Sequence, residues 1–122
     1  MSDLNAITRA LRGSFDTTDE YRFQDGVSEA LARAGITAER EVILTPRDRI
    51  DFLVGSIGIE CKVQGSFIQV ARQLCRYAQS ERILALVLVT GCARLGRGLC
   101  TSIVGGGIAK PLVVVETWKG LL

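Results

Sequence analysis

The chain has 122 residues, 48% hydrophobic and 23% charged, which is enough for one domain whose core needs no disulfide or metal staple. Its formal net charge of +2 is too small for overall charge alone to argue for nucleic acid. No histidine is present, so Ser-His-Asp and Cys-His catalysis are excluded, and any reaction must run on carboxylates, lysine, tyrosine or a metal.

Leu4, Ile7 and Leu11 fall at helical spacing and predict a short helix over 3–12, ended by Gly13. "SFDTTD" (14–19) reads as a polar linker that closes on an N-cap. Phe23, Val27, Leu31 and Ala34 then mark a helix from Glu20 to Ala34, with Gly35 where a C-terminal cap belongs. "EVILT" (41–45) is a strand stopped by Pro46. "RIDFLVGSIGIECKV" (49–63) reads as a hairpin with strands near 49–54 and 57–63. Ile50, Phe52, Val54, Ile57, Ile59, Cys61 and Val63 form its inner side, and Asp51, Glu60 and Lys62 lie on the other.

Gly65-Ser66 offers a helix start. Phe67, Val70, Ala71, Leu74 and Ala78 make that helix's apolar face, opposite a polar stripe of Gln69, Arg72, Gln73 and Arg76. "ILALVLVT" (83–90) is a strand buried on both faces. "GCARLGRG" (91–98) and "GGG" (105–107) read as loops, and "PLVVVETW" (111–118) as a last strand. Cys61, Cys75, Cys92 and Cys100 lack C-x-x-C spacing and read as free thiols. The opening "MSDLNAITRA" has no signal-peptide apolar run and the longest apolar runs are strand-sized, so an intracellular, cytoplasmic protein without a membrane partner is expected.

The order helix, helix, three strands, helix, strand, loop, strand predicts an α/β fold with a mixed central sheet flanked by helices. The first three strands are joined too tightly for parallel crossovers, which excludes a doubly wound nucleotide fold. One domain over 1–122 is expected: helix and linker in 1–18, the core in 19–90, a loop and strand in 91–122.

If Gly55-Ser56 is a two-residue turn, cross-strand partners have numbers that sum to 111. Asp51 then faces Glu60, and Arg49 faces Lys62. Like charges opposed on a sheet are destabilising. Two such carboxylates suit a hard divalent cation such as Mg²⁺, and Lys62 beside it could orient or deprotonate a water or stabilise charge on a phosphate. The same three residues equally suit the solvated face of an amphipathic hairpin.

"ID" (50–51), a hairpin, then "ECK" (60–62), with a helix before and after, resembles the PD-(D/E)XK nuclease superfamily. Within it the pattern looks most like the VRR-NUC nucleases and the neighbouring Holliday-junction resolvases, because "EYRFQ" (20–24) sets Glu20 and Gln24 four apart as that family's first helix does. The resemblance spans about residues 20–90 and implies a restriction-endonuclease-like αβββαβ core. It implies that Asp51 and Glu60 ligate Mg²⁺ (or Mn²⁺), helped by the backbone carbonyl of Cys61, while Glu20 approaches from the helix. Lys62 would be the catalytic lysine, and Gln73, or else Gln69, would support the phosphate or the attacking water. Arg49-Ile50 depart from the Gly or Pro that the family often carries before the Asp.

The implied activity is a metal-dependent endonuclease that hydrolyses phosphodiester bonds in DNA, branched and Holliday-junction DNA included. The alternative is a non-catalytic nucleic-acid-binding or interaction protein that keeps the nuclease fold. Arg49, Arg72, Arg76, Arg94 and Arg97, with Arg47, are candidate phosphate contacts. Seven aromatic residues are too few for an extended stacking platform. Symmetric substrates favour a homodimer, with the apolar last strand and "WKGLL" (118–122) as its candidate surface.

Overall fold

The helices with the clearest capping signals form where those signals place them, in a computed structural model that describes residues 2–118. A first helix, α1 (Ser2–Ala10), is followed by α2 (Glu20–Arg33), whose first turn is closed by the Asp19 carboxylate accepting the Arg22 N–H at 2.8 Å. Phe23, Val27, Ala30 and Leu31 are the buried stripe of α2. Then come β1 (Glu39–Thr45), β2 (Asp48–Val54) and β3 (Ile57–Lys62), an antiparallel meander. The helix α3 (Phe67–Ala78) starts at Ser66, whose hydroxyl accepts the Gln69 N–H at 3.4 Å, and leads to β4 (Ala85–Thr90).

Beyond β4 the chain is more regular than expected. "GCARLGRG" is not a loop: Ala93–Gly98 form a short helix, α4, which buries Leu95. Two glycines in six residues hide this helix from propensity, and tertiary burial of Leu95 supplies what the local sequence lacks. Ser102–Gly105 form a strand, β5, which pairs antiparallel with β6 (Ile108–Glu116) around Gly106-Gly107. Four residues are too few for a readable alternation.

The six strands run β1-β2-β3-β4-β6-β5, with β3, β4 and β6 mutually parallel and the other pairs antiparallel. The expected α/β architecture is therefore present, a mixed sheet between helical layers. Every residue of β4 is buried. Ala85, Val87 and Val89 face a core with α1 and α2, while Leu86 and Leu88 face a second core with α3 and α4.

Two expectations change here. The apolar strand β6 is not a free edge: it lies between β4 and β5, and Leu112 and Val115 are buried within the cores. The part of the expected dimer surface that β6 supplies is therefore an interior strand, and residues 119–122 of that surface lie outside the described residues. "SFDTTD" is also more than a linker, because Phe15 is buried and meets Phe23 edge to face at 5.8 Å. No helix among the described residues is long and apolar enough to cross a membrane.

Candidate active site

The turn register holds. Gly55, at φ +60°, sits in a conformation that glycine adopts without steric cost, and Val54 pairs with Ile57, Leu53 with Gly58 and Phe52 with Ile59, each pair summing to 111. Gly58 is also a packing requirement, since a Cβ there would stand 2.4 Å from Ile50 Cδ1. The main-chain ladder stops at Phe52–Ile59. At the next position the Asp51 N–H donates to Glu60 Oε1 (3.2 Å), and the Cys61 N–H donates to Asp51 Oδ2 (2.8 Å). The Asp51 carboxylate thus accepts the Cys61 N–H that a continued ladder would have paired with β2, and the Glu60 carboxylate accepts the Asp51 N–H beside it. The Arg49–Lys62 pairing expected beyond it is absent from the ladder.

This fork coincides with a change of face. Phe52 joins the α2-side core whereas Ile50, two residues earlier, joins the α3-side core. Ile50 therefore does not share a side with Phe52 and Val54, as strict alternation would require. The neighbouring strand does the same: the Arg40 guanidinium lies 5.6 Å from the Phe52 ring centroid, and Val42 packs with the α3-side core. Between them Glu41 takes φ 54°, the one positive value for a non-glycine among the described residues. The pairs Arg40–Phe52 and Val42–Ile50 bracket it, so the distortion lies level with Asp51.

Both neighbouring helices reach the fork. From α2, the Gln24 amide donates to Asp51 Oδ1 at 3.1 Å, and Glu20 Oε1 accepts the Val63 N–H at 3.3 Å. From α3, the Tyr77 hydroxyl lies 3.3 Å from Glu60 Oε2 and 3.1 Å from the Arg49 carbonyl, and it accepts from the Gln73 amide at 2.8 Å. Lys62 Nζ stands 3.4 Å from Glu60 Oε2. Burial is the main cause that pushes the Glu60 carboxyl up to about 8; the charge of Asp51 adds to this and Lys62 opposes it. Asp51 is raised by burial against the Cys61 N–H and Lys62, and Glu20 by burial against the Val63 N–H and Lys62. Burial likewise pushes the Cys61 thiol and the Tyr77 phenol up, so both stay protonated and neutral.

Lys62 opens onto a groove of about 480 Å³ that runs along α3 and is lined also by Gln69, Arg72, Gln73 and Arg76. The candidate residues Lys62, Gln73, Arg72 and Arg76 are thus brought together. Arg49 is exposed on β2, and Arg94 and Arg97 are exposed on α4; none of the three lines this groove.

Sequence reasoning missed Tyr77. It falls seven residues after Val70 and three after Leu74, hence on the buried face of α3, where a phenol needs a polar partner. Gln24 was visible as a pattern but not as a partner of Asp51. Among the described residues, no group of three or more Asp, Glu, Cys or His side chains closes into a metal-holding cluster. Comparison with known families, characterised proteins and solved structures finds no match for this chain.

Proposed function

We propose that this protein is a metal-dependent endonuclease that hydrolyses phosphodiester bonds in DNA, within the PD-(D/E)XK superfamily that its Asp51, Glu60 and Lys62 resemble. The observation that carries the reading is the fork itself: two carboxylates with raised pKa values at the point where β2 and β3 part, beside a lysine that faces a groove lined by arginines. Burying acids against each other is unfavourable for the fold alone and is a recurrent feature of working sites.

The donor chemistry fits Mg²⁺ or Mn²⁺. Asp51 and Glu60 supply hard oxygens, and the Cys61 N–H already points into the fork, so its carbonyl, on the same side of an extended strand, does too. One or two carboxylates suffice for Mg²⁺, which keeps water and substrate phosphate in the rest of its shell. Glu20 stands at the margin of this set. The bound cation would supply Lewis acidity toward a phosphate oxygen. Lys62 would orient the attacking water or balance charge on the phosphate, Gln24 would hold Asp51, and Tyr77 would hold Glu60 with Gln73 behind it. DNA, in duplex or branched form, would lie along the α3 groove, and two copies would serve a symmetric junction.

The test is cleavage of duplex, flapped and four-way DNA with Mg²⁺ or Mn²⁺ by wild type, Glu60→Ala and Lys62→Ala. Wild type should cut only with metal, and Lys62→Ala should be slower by about a hundredfold or more. No metal-dependent cutting, or equal cutting by all three, sinks the enzyme. One observation favours a non-catalytic nucleic-acid-binding protein instead: Glu60 Oε1 and Asp51 Oδ2 are already engaged by main-chain N–H groups. On that reading DNA is bound but never cut, and Lys62→Ala changes only affinity.

A further inference from the structure

Arg76 reaches the groove already held. Its Nε donates to Asp48 Oδ1 at 3.0 Å, and its side chain has no other hydrogen-bond partner among the described residues. The two partners differ sharply in exposure: the Asp48 side chain is 10% exposed and that of Arg76 46%. Asp48 is the first residue of β2, and its N–H is separately anchored to Thr45 Oγ1 at 3.1 Å, so its carboxylate projects from a backbone fixed by other means.

A guanidinium is planar, and engagement through Nε fixes that plane while leaving both Nη groups free to donate. Two parallel Nη–H bonds match two oxygens of a phosphodiester. An arginine without such a hold would lose its rotamer freedom only on binding, which weakens the complex. We propose that Asp48 is a positioning residue that presets Arg76 to receive a backbone phosphate in the α3 groove, an inference that rests on the nuclease reading above.

The proposal has a sign that simple electrostatics reverses. DNA is a polyanion, so removing a carboxylate near its path should tighten binding. If Asp48 acts by aiming Arg76, its removal should weaken binding instead. Asp48→Ala and Asp48→Asn change the charge identically, but only the asparagine keeps an oxygen that can accept from Nε.

Affinity is read by fluorescence anisotropy of labelled duplex and four-way DNA, with EDTA present so that no cutting occurs. Asp48→Ala should weaken binding about three- to tenfold, Asp48→Asn should bind at least as tightly as wild type, and in an Arg76→Ala background Asp48→Ala should produce no loss. Equal tightening by both substitutions overturns the proposal, leaving Asp48 a mere neighbouring charge. So does a loss from Asp48→Ala that persists without Arg76, which would mark a general fold defect. In either case metal-dependent cutting by wild type leaves the nuclease reading standing. Wild type that binds neither DNA and cuts neither overturns both.

Discussion

Near its turn the β2–β3 hairpin pairs Val54 with Ile57, Leu53 with Gly58 and Phe52 with Ile59, main chain to main chain, with Phe52, Leu53, Ile57 and Ile59 buried in the cores and Val54 half-buried against one of them. One residue further the same two strands are joined through the carboxylates of Asp51 and Glu60. The turn half satisfies its own backbone and contributes apolar burial. The open half leaves N–H groups facing a gap, fills the gap with acids, and draws in Gln24, Tyr77 and Lys62 to hold them. Apolar burial and buried charge are separated along one pair of strands, within about two residues of each other.

The largest expected effect breaks the turn half. Phe52→Ala removes a fully buried ring and should destabilise the fold by about 3–5 kcal/mol in urea unfolding. A loss below about 1 kcal/mol would mean that this half is not the anchor described.

The second prediction sharpens the open half. Glu60 and Asp51 are raised above their ordinary values, so the folded state binds protons more tightly than the unfolded chain. The stability that Glu60 confers is then complete below about pH 4.5 and is lost as pH rises through about 8. Melts without divalent cations should show wild type falling across this window. Glu60→Gln should fall less and be more stable at the alkaline end, by on the order of a few kcal/mol. Parallel profiles for the two proteins would contradict the burial of a charged Glu60. Added Mg²⁺ should restore part of the loss in wild type but not in Glu60→Gln.

Smaller effects follow at the margins of the fork. Gln24→Ala deletes the hydrogen bond to Asp51 and should cost about 1 kcal/mol. Glu41→Gly relieves a left-handed backbone at an L residue and should stabilise by about 0.5–1 kcal/mol. If thermal melts show Glu41→Gly to be destabilising, the φ of Glu41 is not the strain that accompanies the change of face.

Much of this hairpin was legible in advance. Alternation and the Gly55-Ser56 turn specified the register, and Asp19 and Ser66 were readable caps because an oxygen side chain before an apolar run has a local partner three residues on. The side of Ile50 was not readable, since alternation assumes an unbroken strand and the break lies level with Glu41 on the neighbouring strand. Nor was β5, whose four residues say little until β6 lies beside them, although its presence turns β6 from an edge into an interior strand.

What the sequence by itself determined is which residues bear charge and how β2 meets β3, because a period of two and a two-residue turn leave a single pairing that buries the apolar side chains. Tertiary structure alone decided what those charges meet. Glu20 bonds the N–H of a residue 43 positions away, Gln24 reaches Asp51 over 27, and Asp48 holds Arg76 over 28. Separations of that length carry no local signal. They are set by how the helices dock on the two faces of the sheet, and that docking is driven by non-directional apolar burial in the two cores.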